Sequence, residues 1–316
     1  MDKLDKILLM KLLGDCRASY RQLARELGVT CPTIKRRVDR LVEMGIIERF
    51  TIDISQETLG VGWVYAEIET DLSEDRDALI QEICSHKYTN ELFAVGSKKY
   101  LALAEVPILE GMYSYGKFLR SLTGVRQVDL FPIKQLPTRH LSNLCKYSSR
   151  GVKVSFSDSH LRVLKQLINN ARISINEIAK RIGFRPKRVR KVLKELHESE
   201  GVHFTIRFNP AVEDCINFVL KLSFDEDQVS PGELAYWIEE QFSSEHWMSF
   251  MLSSEPVIIN YMTSDSLSRI EMILRKMKYA PFIFDVETML IYCLERSSED
   301  ASLTSFEIIS NPIFVC

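Results

Sequence analysis

Two short runs carry side chains able to hold a polyanion. In Thr33-Ile-Lys-Arg-Arg-Val-Asp-Arg40 the apolar residues Ile34 and Val38, continued by Leu41, recur at helical spacing. In Lys187-Arg-Val-Arg-Lys-Val-Leu-Lys194 the same holds for Val189 and Leu193, continued by Leu196. With those residues inward, the 100° step of a helix turns Pro32, Arg36, Asp39 and Arg40 outward in the first run, flanked by Thr33, Lys35 and Arg37. In the second run Lys187, Lys191, Lys194 and Glu195 face outward, with Arg188 and Arg190 beside them. Arginine forks onto guanine O6 and N7, whereas lysine acts as a point charge on phosphate. Arg36 and Arg40 are therefore candidates to read bases, and Thr33, Lys35 and Arg37 candidates for bases or phosphate. The lysine-rich second run is expected to add affinity more than specificity.

Other chemistries have weaker support. The chain holds no Gly-rich phosphate loop, no G-x-S-x-G and no H-E-x-x-H. Its cysteines, at 16, 31, 84, 145, 215, 293 and 316, form no C-x-x-C pair and read as free thiols. The histidines, at 86, 140, 160, 197, 203 and 246, are scattered. No metal and no cofactor are expected.

The elements that must position the basic runs come twice. Arg17-Ala-Ser-Tyr-Arg-Gln-Leu-Ala-Arg-Glu-Leu-Gly28 aligns without a gap on Arg172-Ile-Ser-Ile-Asn-Glu-Ile-Ala-Lys-Arg-Ile-Gly183, an offset of 155. The match runs on to Leu41/Leu196 and, after one extra residue, to Gly45/Gly201. Each copy opens with three helices. Ser19-x-x-Gln22 reads as a capping box, Gly28 as a left-handed helix end, Thr30 as the next cap, and Pro32 as a first-turn proline. Ser174, Gly183 and Pro186 repeat the logic. Three helices with a tight turn before the third describe a helix-turn-helix. The β-prone runs 46–52 and 202–206 follow the third helix and read as the wing of each copy.

The rhythm then changes. Strands are expected at 63–69, 91–95, 100–106 and 125–134, with helices at 75–85 and 110–122. The second copy gives strands at 218–224, 247–252, 256–261 and 282–292, with helices at 233–242 and 266–277. The order βαββαβ defines a ferredoxin-like sandwich. The expected fold class is α+β, with two winged helix-turn-helix domains (1–60 and 158–210) and two ferredoxin-like βαββαβ domains (61–136 and 211–296) in tandem. Residues 137–157 read as a linker and 297–316 as a C-terminal tail.

Charge follows this division. Residues 1–50 carry 11 Lys+Arg against 7 Asp+Glu, and residues 155–207 carry 12 against 5. The rest of the chain is acidic enough to bring the net charge to −2. Segregated basic charge is the electrostatic footprint of a nucleic-acid binder, so double-stranded DNA is the expected partner. No apolar run approaches the roughly 20 residues of a membrane helix, and the N-terminus shows no signal-peptide pattern. The expected location is the cytoplasm, with no membrane partner.

On Leu4-Asp-Lys-Ile-Leu8, the run Arg17–Gly28, Thr33–Leu41, Gly45-Ile-Ile47 and the Leu59-Gly60 hinge, the sequence resembles the Lrp/AsnC family of transcription regulators. The resemblance covers about residues 1–135 and 155–295. It implies a DNA-binding regulator whose sheet domains pair, here as an intrachain pseudo-dimer that also forms homo-oligomers. It also implies an amino acid or other small effector held between those domains. The turns to inspect for that effector are Gly96-Ser-Lys98-Lys99-Tyr100 and Ser253-Ser254-Glu-Pro256. Neither keeps the family's Gly-then-acid pattern: the first lacks the acid and the second the Gly. Sirohaem decarboxylases also resemble paired units of this type, which makes a tetrapyrrole enzyme the alternative. Such a site would need convergent His and Arg residues.

Overall fold

The computed structural model describes residues 1–107, 110–136, 154–209 and 215–296. Most of the expected linker and the whole tail lie outside them, as do His140, Cys145 and Cys316. The four expected domains pack by type, not by repeat. One compact unit holds both helix-turn-helix copies, and the other holds both βαββαβ copies.

In the first unit, the first copy consists of α1 (Lys3–Gly14), α2 (Tyr20–Leu27), α3 (Cys31–Glu43), strand β1 (Ile47–Ile54) and the single turn α4 (Gln56–Leu59). The second consists of α7 (Asp158–Leu167), α8 (Ile175–Ile182), α9 (Pro186–Glu198) and β6 (Val202–Phe208). Each trio of helices closes over an apolar centre: Leu8, Leu12, Leu23, Ile34, Val38 and Leu41 are all but inaccessible, and so are Val163, Leu167, Ile178, Val189 and Leu196. Ser19, Thr30 and Ser174 accept the amides they were expected to cap. Gly28 and Gly183 end α2 and α8 with φ of 66° and 70°, a region that glycine enters without strain. The Ser19 box is only half made, because the Gln22 amide turns to Glu26 at 3.0 Å.

The strands depart from expectation. β1 and β6 are not separate wings; they pair with one another, antiparallel, in a two-stranded ribbon. Thr51 lies opposite Thr205, with Phe50 opposite Ile206 and Ile52 opposite Phe204. A β-prone run specifies a strand but not its partner, and the nearest unpaired run of matching length is the one in the other copy.

The second unit holds β2 (Val61–Thr70), α5 (Arg76–Ser85), β3 (Thr89–Ala94), β4 (Lys99–Pro107), α6 (Glu110–Arg120) and β5 (Val125–Gln135). Their counterparts are β7 (Ile216–Phe224), α10 (Pro231–Gln241), β8 (His246–Leu252), β9 (Val257–Ser264), α11 (Leu267–Lys278) and β10 (Ile283–Leu290), followed by β11 (Cys293–Arg296). The spatial orders β5-β2-β4-β3 and β10-β7-β9-β8 are the same, as βαββαβ requires. The last expected strand is broken in two: β10 stays in its own sheet, and β11 pairs with β3 of the other copy. Reciprocally, the end of β5 pairs with β8 through Ile133, Lys134 and Gln135. The edges β3 and β8 are thus each covered by the other copy's terminal strand, which pairs amides that would otherwise make those edges sticky. Alternation sends Val64, Ala66, Ile68, Ala102 and Leu92 toward α5 and α6, and Leu220, Leu222, Ile258 and Met262 toward α10 and α11.

Candidate nucleic-acid interface

Pro32 starts α3 in its first turn, and Ile34, Val38 and Leu41 fix which face looks out. On that face Lys35 and Arg36 are exposed, and neither makes an ion pair among the described residues. Thr33 is half-buried, its hydroxyl 2.9 Å from that of Thr30. Arg37 and Arg40 are placed differently from expectation. Arg37 Nη1 donates to Asp2 Oδ2 at 2.6 Å and to Asp5 Oδ1 at 2.7 Å, and Arg40 donates to Asp5 Oδ2. Asp5 is wholly buried and forms with Asp2 the capping box of α1. Hydrogen bonds to Asp5 and Asp2 raise the Arg37 pKa above arginine's ordinary value. Both arginines therefore tie α3 to the start of α1, and Arg40 keeps half its side chain in solvent.

The second copy makes the same tie with its polarity reversed. At the offset of 155, Asp2, Asp5 and Arg40 become Ser157, His160 and Glu195. Ser157 and His160 form the capping box of α7, and His160 Nε2 lies 3.1 Å from Glu195 Oε2. Glu195, an acid on an otherwise basic face, is thus the partner of a helix cap. Along α9, Lys187 and Arg190 are exposed without an ion pair among the described residues. Lys191 and Lys194 lie 3.7 Å from Glu195 and Glu198, exposed i,i+4 contacts that bind weakly. Arg188 donates to Ser159 Oγ at 2.5 Å and stacks on Phe184, 4.1 Å from the ring centre.

Residues whose role carried no sequence signal join the two copies. Arg17 donates to the Ala171 and Ile173 carbonyls at 2.5 and 3.4 Å. Its counterpart Arg172 donates to the carbonyls of Cys16 and Ala18 at 2.5 and 2.8 Å. Positions 16 and 18 are the counterparts of 171 and 173, so the exchange is reciprocal. Thr51 Oγ1 donates to the Ile168 carbonyl and Thr205 Oγ1 to the Leu13 carbonyl, again equivalent atoms, at 2.7 and 3.0 Å. A local two-fold axis passes between Thr51 and Thr205.

In the other unit the effector turns are occupied by structural contacts. Lys98 lies 2.8 Å from Glu69, and Tyr100 is buried, its hydroxyl 3.5 Å from Glu74. Gly96 opens the turn, and Ser253 and Ser254 are exposed, with the Ser253 amide donating to the Pro132 carbonyl. Lys99 joins a cluster that sequence reading missed: it lies 3.1 Å from Glu67 and 3.2 Å from Glu287, while Lys221 lies 2.7 Å from Glu67. Burial alone would raise the Glu67 carboxyl; the Lys221 hydrogen bond and the charges of Lys221 and Lys99 bring it below the ordinary value. The missed signal was a charge alternating with the core residues of each strand, on the sheet face turned away from the helices. Among the described residues, no group of three or more His, Cys, Asp or Glu could hold a metal ion, and no helix is long and apolar enough to cross a membrane.

Comparison with known proteins adds findings of three kinds. A model of the AsnC-type helix-turn-helix domain matches residues 1–42, and a winged helix-turn-helix DNA-binding model matches residues 156–200. Over 140 residues the chain is 29% identical to an uncharacterized HTH-type transcriptional regulator of Pyrococcus abyssi, spanning 41% of this chain and 88% of that one. Over 60 residues it is 42% identical to the HTH-type transcriptional regulator Ptr1 of Methanocaldococcus jannaschii, spanning 19% of this chain and 40% of that one. The crystal structure of the siroheme decarboxylase NirDL matches with a TM-score of 0.60 over 98% of this chain and 99% of that one, at 13% identity, a likeness of fold.

Proposed function

We propose that the chain is a DNA-binding transcription regulator of the Lrp/AsnC type, a reading supported by its AsnC-type helix-turn-helix match and its likeness to HTH-type transcriptional regulators, and that it binds specific duplex sites through α3 and α9. The observation that carries this reading is the exposure of Lys35 and Arg36 on the outer face of α3, without an ion pair among the described residues. Arg36 reads a base edge, and Lys35 and Thr33 flank it. On α9, Arg190 and Lys187 approach the duplex directly, with Lys191, Lys194 and Arg188 toward phosphate. Arg37 and Arg40 hold α3 in place, and Arg40 retains enough exposure to reach a phosphate as well.

A sequence selection on random duplexes, repeated with Arg36→Ala, tests this. A lost bidentate contact weakens binding by about 1–3 kcal/mol and relaxes preference at the base it touched. Unchanged preference in the variant removes Arg36 from base reading. Effector binding is proposed only for the Gly96–Tyr100 and Ser253–Pro256 turns, and a thermal-shift screen with the amino acids tests it. Association of whole chains is likewise a proposal, read by light scattering.

The fold shared with NirDL over nearly the whole chain supports a second reading, a sirohaem-decarboxylase-like enzyme. Four of the described histidines lie in separate settings: His86 stacks on Phe118, His203 and His246 are buried, and His160 holds Glu195, while the fifth, His197, lies near His203. Decarboxylation of added sirohaem by the purified protein would replace the regulator reading with this one.

A further inference from the structure

We propose that a single chain reads one directional operator, made of two dissimilar half-sites at a fixed separation. This rests on the reading of α3 and α9 as DNA-reading helices, and goes beyond it by specifying stoichiometry, symmetry and spacing.

The first observation is that the two helices are held as a pair. β1 and β6 form one ribbon, extended at its ends by the Ser55 amide on the Gly201 carbonyl and the Asn209 amide on the Ile46 carbonyl, at 3.0 and 2.8 Å. Arg17 and Arg172 each bind carbonyls of the other copy, and Thr51 and Thr205 do the same at the first helices. The amides of Cys16 and Ala171 close the exchange on the carbonyls of Phe204 and Phe50, at 2.9 and 2.8 Å. Arg172 also stacks between Tyr20 and Phe50, 4.6 and 4.9 Å from their ring centres. Hydrogen bonds from charged donors are shorter and stronger than neutral ones, and here the acceptors are backbone atoms with no rotamer to change. A helix-turn-helix pair related by a two-fold axis engages two half-sites on one face of the duplex. This chain contains both members of such a pair.

The second observation is that the pair is two-fold in backbone but not in readers. At equivalent outward positions, Pro32 corresponds to Lys187, Thr33 to Arg188, and Lys35 to Arg190. Likewise Arg36 corresponds to Lys191, Asp39 to Lys194, and Arg40 to Glu195. No outward residue is repeated, while the inward Ile34/Val189, Val38/Leu193 and Leu41/Leu196 are all aliphatic. Among the described residues, the arginine with neither an ion pair nor a hydrogen bond is Arg36 in α3, whereas in α9 it is Arg190, the counterpart of Lys35, because Arg188 is bound to Ser159. Guanine-directed contacts therefore fall at different places in the two halves. A palindrome, which serves two identical readers, does not satisfy this pair.

The test uses the full-length protein. Sequence selection on random duplexes, followed by mass measurement of the complex on a single selected site, should give a non-palindromic motif and one chain per duplex. Arg36→Ala should erase preference in one half only and Arg190→Ala in the other half only. Inserting 5 or 10 base pairs between the halves should each lower affinity at least tenfold, because the ribbon cannot lengthen. A palindromic motif, two chains per duplex, or full affinity after the 10-base-pair insertion would each overturn the proposal while leaving DNA binding intact. Absence of any sequence-selective binding would overturn the underlying reading as well.

Discussion

Arg37 donates to a carboxylate that has no solvent exposure, while Arg36, its neighbour, points to solvent. Substitution should separate their roles. Arg37→Ala leaves Asp5 short of a charged donor, and hydrogen bonds to charged groups contribute about 1.5–3 kcal/mol, so urea unfolding should show a loss of that size. Arg36→Ala should leave stability within about 0.5 kcal/mol and act on DNA binding alone. Equal stability losses in both variants would show that the two are not divided in this way. His203 supplies a pH signature. Burial lowers its pKa to about 4, against the pull of its hydrogen bond to the Gly14 carbonyl and with His197 adding to the depression. The unfolded chain therefore takes up the proton first. This contribution is complete above about pH 6.5 and is lost as pH falls toward about 4, by on the order of 3 kcal/mol in all. His203→Gln should flatten the stability profile in that window. The identities of α3's outward residues were readable from the 100° step. The Asp5 tie was not, because helical periodicity orders one helix against its own core and says nothing of the helix beside it.

At the scale of elements, local pattern located nearly every helix and strand, and the partnerships followed from topology. The βαββαβ order came directly from the alternation of rhythm along 61–136. The ribbon and the exchange of β11 onto β3 and of β5 onto β8 did not, since a strand's pattern marks its faces and leaves its edges anonymous. The same blindness hid Arg17 and Arg172. Both were visible as a repeated residue, yet their acceptors are backbone carbonyls, which leave no trace in a sequence. Arg172→Ala removes two hydrogen bonds to carbonyls of the other copy and the stack on Tyr20 and Phe50. A loss of about 1–3 kcal/mol is expected. Hydrogen exchange should show it as faster opening of the Ala171 and Cys16 amides, which close the same junction. Unaltered protection at both amides would mean that the ribbon alone joins the copies.

The whole chain has a net charge of −2, yet the copies that carry α3 and α9 are basic, and the acid lies elsewhere. Binding to a polyanion depends on where charge is presented, not on its sum. Each phosphate neutralised by Lys or Arg releases condensed counterions, so log affinity falls with log salt by about 0.9 per contact. The exposed lysines of α9 are expected to act in this way. Among the described residues, Lys191 and Lys194 are held only by exposed carboxylates at 3.7 Å, contacts that a phosphate can replace at little cost. Replacing Lys187, Lys191 and Lys194 together by Gln should therefore flatten the salt dependence by up to about 2.7 in the log–log slope. The preferred sequence opposite Arg36 should be retained. The matched control is Arg275 and Lys278 on α11, exposed cations in the acidic part of the chain, whose replacement should leave the slope unchanged. If the α9 triple variant keeps the full slope, the second helix lies off the duplex and α3 binds alone. If the control flattens the slope as much, the sheet unit also lies against DNA, and the segregation of charge along the chain does not govern how it approaches its site.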